Sequence, residues 1–253
     1  MVQAYNRHVV PGRVGGMQMA PQDRGLYRLR AASDVPYAAA YGYGRKSGFG
    51  EKILGALAAT ARVAVSVGVL LAWVIGVFLY RDTPVSILGA GQGWLTLAHA
   101  LVPTGFFCVF LTNRRYGPGY AFVQVLVTAI VVTGFALAAG QDIYQILGPE
   151  GVPDMREALA FGGAFILAGF VSITAFDGAR GPMWWTAPLV GFLVAAFTFA
   201  TIFFLASYAG ADAEWFSHGA TYMGILAGEG ILLLIPFWAL RRMVPPMSGF
   251  GGY

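Results

Sequence analysis

WTAPLVGFLVAAFTFATIFFLASY occupies residues 185–208. It contains no charged residue. It is longer than the roughly 20 mainly apolar residues that an α-helix needs to cross a bilayer. The rest of the chain has the same character. Of its 253 residues 57% are hydrophobic and 11% are charged, with a mean hydropathy of +0.65. A soluble domain carries about 25% charged residues. These values specify an all-α, polytopic integral membrane protein and leave no room for a soluble catalytic domain.

Five further segments have comparable composition, at about 63–80, 94–112, 120–140, 158–176 and 219–240. Six transmembrane helices are therefore predicted, within a membrane domain over residues 53–243. Pro103 and Gly105 interrupt the second segment. Membrane helices tolerate such breaks where neighbours satisfy the freed backbone groups. Residues 84–93 (PVSILGAGQG) read as a partly embedded loop before it. The first fifty residues have scattered arginines but no apolar core of the length a secretory signal requires. The single cysteine, Cys108, lies inside an apolar run and has no partner for a disulfide within the chain.

Charge placement predicts the orientation. The tail of residues 1–52 carries Arg7, Arg13, Arg24, Arg28, Arg30, Arg45, Lys46 and Lys52. Arg114 and Arg115 follow span two, Arg180 follows span four, and Arg241 and Arg242 follow span six. The opposite loops carry Arg81 and Arg156 and most of the acids: Asp82, Asp142, Glu150, Asp154, Glu157, Asp212 and Glu214. Six spans place both termini on one side. The positive-inside rule makes that side cytoplasmic, and the pattern fits a bacterial inner membrane. The net charge of +4 is thus read as orientation, not as affinity for nucleic acid. In VFLTNRRYGP (109–118) the Arg114–Arg115 pair reads as a cytoplasmic stop. Tyr80, Trp94, Tyr116, Trp184, Trp185 and Trp238 fall where interfacial aromatics belong.

Two tails flank the membrane domain. Residues 1–52 are basic and rich in Tyr and Gly, and their composition predicts no fold of their own. Residues 244–253 form a short C-terminal tail. Small residues recur within the spans: Gly224 and Gly228 at GxxxG spacing, and Gly162, Gly163 and Gly169. They allow close helix packing, within one chain or between chains.

Candidate chemistry is sparse. Ionisable residues deep in a membrane are costly and point to function. Glu229, between Gly228 and Gly230, is the principal one. It reads either as a proton-coupling or substrate-binding carboxylate or as a structural, hydrogen-bonded group. His99 is the histidine placed well within a span. It reads as an ordinary hydrogen-bonded residue, with a haem or pigment ligand as the alternative. A two-histidine haem site cannot be assembled, because His8 lies in a tail and His218 near an interface. Gln92, Thr96, Ser172, Thr174 and Thr198 are expected to hydrogen-bond between helices. No nucleophile–base–acid set, phosphate loop or metal motif occurs, so no enzymatic activity and no metal or cofactor is expected. Bound lipid is.

Four segments carry a resemblance. PVSILG (84–89), FLTNRRYGP (110–118), AFDGARGPMWWTAPLVGFLVAAFTFATIFF (175–204) and LIPFWALRRM (234–243) resemble, in order, the VUT family of six-span queuosine precursor transporters. The likeness covers roughly residues 63–243. It implies a six-helix fold and import of small 7-deazaguanines. It also implies acids or other polar groups at positions that hold Phe110, Gly169, Ser172, Phe199, Tyr222 and Leu226 in this chain, and a glycine before the second of these, where Ala168 stands. The departures at the polar positions all run to apolar or small residues. A purine-like ligand requires matching polar groups, since each unmatched one costs about 1–3 kcal/mol. The expectation is a VUT-like protein that no longer transports. It would serve as an accessory subunit of a larger membrane complex, respiratory or photosynthetic, contacting other subunits and lipids through its apolar faces and N-terminal tail. The competing expectation is a working transporter of a 7-deazaguanine or similar solute that depends on Glu229.

Overall fold

A computed structural model describes residues 49–91, 93–147, 155–210 and 214–246. The basic tail up to residue 48, Gln92, Glu150, Asp154, Asp212 and residues 247–253 lie outside the described residues. The chain divides into residues 1–57, described only from Phe49, and residues 58–253, which contain the bundle.

The described residues are helical, with helices α1 (Phe49–Leu79), α2 (Leu97–Tyr116), α3 (Pro118–Leu147), α4 (Met155–Gly178), α5 (Thr186–Tyr208), α6 (Trp215–Leu232) and α7 (Leu234–Leu240). Between α1 and α2 the chain makes a small hairpin held by two isolated bridges, Pro84–Thr96 and Ile87–Ala90. Among the described residues five stretches are long and apolar enough to cross a membrane: Phe49–Leu79, Pro118–Ala139, Met155–Gly178, Thr186–Tyr208 and Trp215–Leu240. By that measure this is a membrane protein. The last stretch contains both α6 and α7. Pro236 has no N–H, so the carbonyl of Leu232 loses its helical donor, and the helix breaks at Leu233.

The second predicted span is the exception. Its helix, α2, is shorter of apolar residues because it includes His99, Thr104 and the Thr-Asn-Arg-Arg end. Yet eleven of its 20 residues are buried, against four of the 31 in α1. A helix surrounded by protein does not need a lipid-compatible surface, so its polar residues are tolerated. Gly117 ends α2 in a left-handed conformation (φ 90°) and gives its N–H to Asn113, while Pro118 opens α3, where its missing N–H costs nothing.

Pro103 does not break α2; the helix runs through it. The ring removes the donor that the His99 carbonyl would otherwise receive. Tyr222 of α6 supplies a replacement, its hydroxyl donating to that carbonyl at 2.8 Å. Tyr222 is fully buried, so no water can substitute. Tyr222→Phe is expected to destabilise the bundle by about 1–3 kcal/mol, the cost of an unpaired buried carbonyl. With Pro103→Ala, which restores the backbone donor, that cost should shrink. Thermal melts of the two single variants and the double variant measure this coupling.

Packing in the bundle alternates small residues with aromatic rings. The inner face of α5 repeats this pattern: Gly191 and Phe192, Ala195 and Ala196, Phe199 and Ala200, Phe203 and Phe204. A Cβ at Gly191 would stand 2.9 Å from Cζ of Phe110, and one at Gly230 would stand 2.7 Å from Cβ of Phe192. At Gly105 the Trp73 ring lies 2.6 Å from where a Cβ would sit, and the Trp73 indole N–H donates to the Leu101 carbonyl at 2.9 Å.

The glycines singled out in the sequence behave differently. Nothing stands within 4 Å of a Cβ built on Gly162, Gly163, Gly224 or Gly228, and Gly169 meets only Val125 at ordinary contact distance, 3.5 Å. Close helix contact inside this chain therefore occurs at Gly105, Gly191 and Gly230 instead. Spacing alone does not reveal which face of a helix turns inward.

Candidate functional site

Three places gather the residues that the sequence marks. The first is the centre of the bundle. Phe110, Gly169, Ser172, Phe199, Tyr222 and Leu226, where the family resemblance implies polar groups, are all buried, as is Ala168 beside them. They belong to α2, α4, α5 and α6. Phe110 stacks on Phe176 at 5.2 Å between centroids and meets the edge of Phe192 at 5.0 Å. Phe106 stacks on Phe165 at 4.8 Å, and Phe199 on Phe203 at 5.6 Å. Ser172 turns its hydroxyl to the Gly169 carbonyl of its own helix at 3.1 Å. The crevice among Pro103, Phe106, Phe192, Ala196 and Leu226 has no space for a water molecule. A centre built this way offers contact energy and no array of hydrogen-bonding groups.

The second place is the basic end. Arg180 donates to both the backbone carbonyl and Oδ1 of Asn113 at 2.9 Å and pairs with Asp177 at 2.6 Å. Arg114 is buried and donates to the Val244 carbonyl at 2.9 Å, with its guanidinium 5.7 Å from the Phe237 ring centroid. Arg241 stacks over Trp184 at 5.7 Å. Three of the four resembling segments thus meet here, although more than sixty residues separate Asn113 from Arg180. The two arginines of the 109–118 turn differ. Arg115 is exposed, as an orienting charge would be, whereas Arg114 ties α2 to the chain beyond α7. Arg62 and Arg115 both lie over Tyr116, so the part of α1 around Arg62 lies beside the same end.

The third place lies at the opposite end. A cavity of about 390 Å³ is lined by Val74, Val77, Phe78, Arg81, Asp82, Thr96, Ala98, His99, Glu157, Ala158, Phe161 and Phe203. Thr96 caps α2, and His99 three residues on completes the cap: the Thr96 backbone N–H donates to His99 Nδ1 at 3.2 Å. Thr96 Oγ1 also lies 2.8 Å from Nδ1. Nδ1 is therefore the acceptor, and a neutral ring carries its proton on Nε2. Tyr208 donates to Glu157 at 3.4 Å, and Arg81 pairs with Asp82 at 3.0 Å.

His99 accordingly has a structural duty as a helix cap, and one ring nitrogen remains for a ligand. Trp94 is half-buried and packs between the two histidines of the bundle, 4.9 Å from His218 and 6.4 Å from His99. Among the described residues no group of three or more His, Cys, Asp or Glu side chains could hold a metal ion. Glu229 stands apart from the cavity. It is half-buried, and its Oε2 is enclosed without a hydrogen-bond partner among the described residues.

Of the residues expected to bond between helices, Gln92 lies outside the described residues and Thr96 bonds to His99 three residues on. Ser172 and Thr174 bond within α4. The cross-links include Gln124 Nε2 to the Ser66 carbonyl (2.8 Å), Trp73 to Leu101, Tyr222 to His99, Arg180 to Asn113 and Arg156 to the Ala206 carbonyl (2.7 Å). Gln124 was detectable from sequence, since an amide inside an apolar helix must find a partner. The others use backbone acceptors, which leave no trace in a sequence. No family model, curated protein or solved structure matches this chain.

Proposed function

We propose that this protein is a non-transporting, non-enzymatic subunit of a larger membrane complex, built on a VUT-like frame. The single observation that carries the reading is the filled aromatic centre. The positions at which a midplane transport site would present polar groups are occupied by packed rings and small residues. The working-transporter alternative would need polar company for Glu229, and the cavity that could admit a solute does not include it.

In this reading α2 is the sixth crossing, shielded from lipid by its neighbours. The arginine-rich end, with Arg62, Arg114, Arg115, Arg180 and Arg241, faces the cytoplasm of a bacterial cell, and both termini lie there. The outward face of α6 supports docking. Thr221, Gly224 and Gly228 are exposed, and nothing approaches either glycine within 4 Å. Such a face admits a second helix closely.

The test is native electrophoresis of gently solubilised source membranes, with mass spectrometry of the band that holds this chain. The expected result is a large complex with reproducible partners. Gly228→Leu should release the chain as a smaller, still folded species. A chain that runs alone or as a small homo-oligomer, unaltered by Gly228→Leu, would overturn the subunit reading.

A further inference from the structure

The cavity beside His99 has no part in the subunit reading, and the inference drawn from it stands independently of that reading. We propose that it binds a single phospholipid with a zwitterionic, ammonium-bearing headgroup. Depth is the first argument. Arg81 and Asp82 follow the end of α1, and Glu157 lies in the first turn of α4. These charges sit at helix ends, where a bilayer places its headgroups. Phe161 lines the cavity one turn deeper on α4, and Val74 two turns deeper on α1. Polar groups at the mouth and apolar walls below match the order of parts in a lipid.

Charge is the second argument. The cavity presents both signs close together. Glu157, which accepts a hydrogen bond from the Tyr208 hydroxyl at 3.4 Å, suits an ammonium group. Arg81 and the His99 Nε2–H suit phosphate and ester oxygens. His99 is nine-tenths buried, its Nδ1 is committed to Thr96, and Nε2 has no hydrogen-bond partner among the described residues. The positive amino end of α2, at Thr96 and Ala98, adds to the attraction for phosphate. A purely anionic headgroup would meet Glu157 and Asp82 with the wrong sign. Size agrees: about 390 Å³ falls within the range of small-molecule sites and holds a headgroup and the upper part of its chains.

The experiment uses the full chain in mild detergent. Native mass spectrometry would compare phosphatidylethanolamine with phosphatidylglycerol carrying the same acyl chains. One phosphatidylethanolamine should be retained, with an apparent affinity about tenfold above that of phosphatidylglycerol, the scale of one charged hydrogen bond. Glu157→Gln should remove that preference. Ala158→Trp, placed at the exposed side of the mouth, should abolish retention of either lipid without lowering the lipid-free melting temperature. Equal retention of both lipids, or a preference that survives both substitutions, would overturn the proposal.

Discussion

Phe110→Asp is expected to prevent accumulation of the folded protein. The substitution installs an acid at a position where the resembling transporters imply one. Here that position is fully buried and walled by Phe106, Phe176 and Phe192. Removing a buried Phe ring costs about 3–5 kcal/mol. An enclosed carboxylate with no cation or donor adds several kcal/mol more. Whole domains are stable by only about 5–15 kcal/mol. Phe110→Leu, which keeps the site apolar, should fold with a modest loss. Size-exclusion profiles of the two variants in detergent make the comparison. A monodisperse, normally melting Phe110→Asp protein would mean that the centre admits water or a polar ligand, and the case against transport would fail with it.

Gly230→Val should lower the melting temperature sharply, while Gly224→Val should leave it nearly unchanged. The two positions lie six residues apart on one helix and look equivalent in sequence. At Gly230 a new Cβ would stand 2.7 Å from Cβ of Phe192, an atom fixed to the backbone of α5. No side-chain rotation relieves that contact, so α5 and α6 must separate. Overpacking of this kind costs about 1–3 kcal/mol. At Gly224 nothing lies within 4 Å, and a substitution there should fall within about 0.5 kcal/mol. Melts of the purified chain read both effects. Equal shifts would show that α6 is not packed against α5 as described.

The two glycines illustrate how far the sequence reaches. Helical class, membrane character and the approximate limits of four spans follow from composition, because lipid forces every crossing to be a long apolar helix; the first helix instead begins at Phe49, fourteen residues before the expected start of its span and inside the segment read as tail. The run at 185–208 is read correctly from its letters alone, and the observed helix is Thr186–Tyr208. The gathering of Arg114, Arg115, Arg180 and Arg241 at one end is equally legible, since they follow alternate spans in the sequence.

Other features come from tertiary structure only. An all-apolar helix carries no polar face to say which side turns inward, so Gly224 and Gly228 could not be told from Gly191 and Gly230. α2 looks marginal as a span because its polar residues are judged against lipid, whereas in the bundle they face protein. His99 acquires its cap, Pro103 its substitute donor and Arg114 its anchor at Val244 only when distant segments meet. The cavity at His99 combines the ends of α1, α2, α4 and α5, and no local motif announces it. By itself the sequence determined what solvent each helix must tolerate, because that depends on the composition of a single segment. Which residues face one another was decided by the tertiary structure, because among uniformly apolar helices shape, rather than polarity, selects the contact.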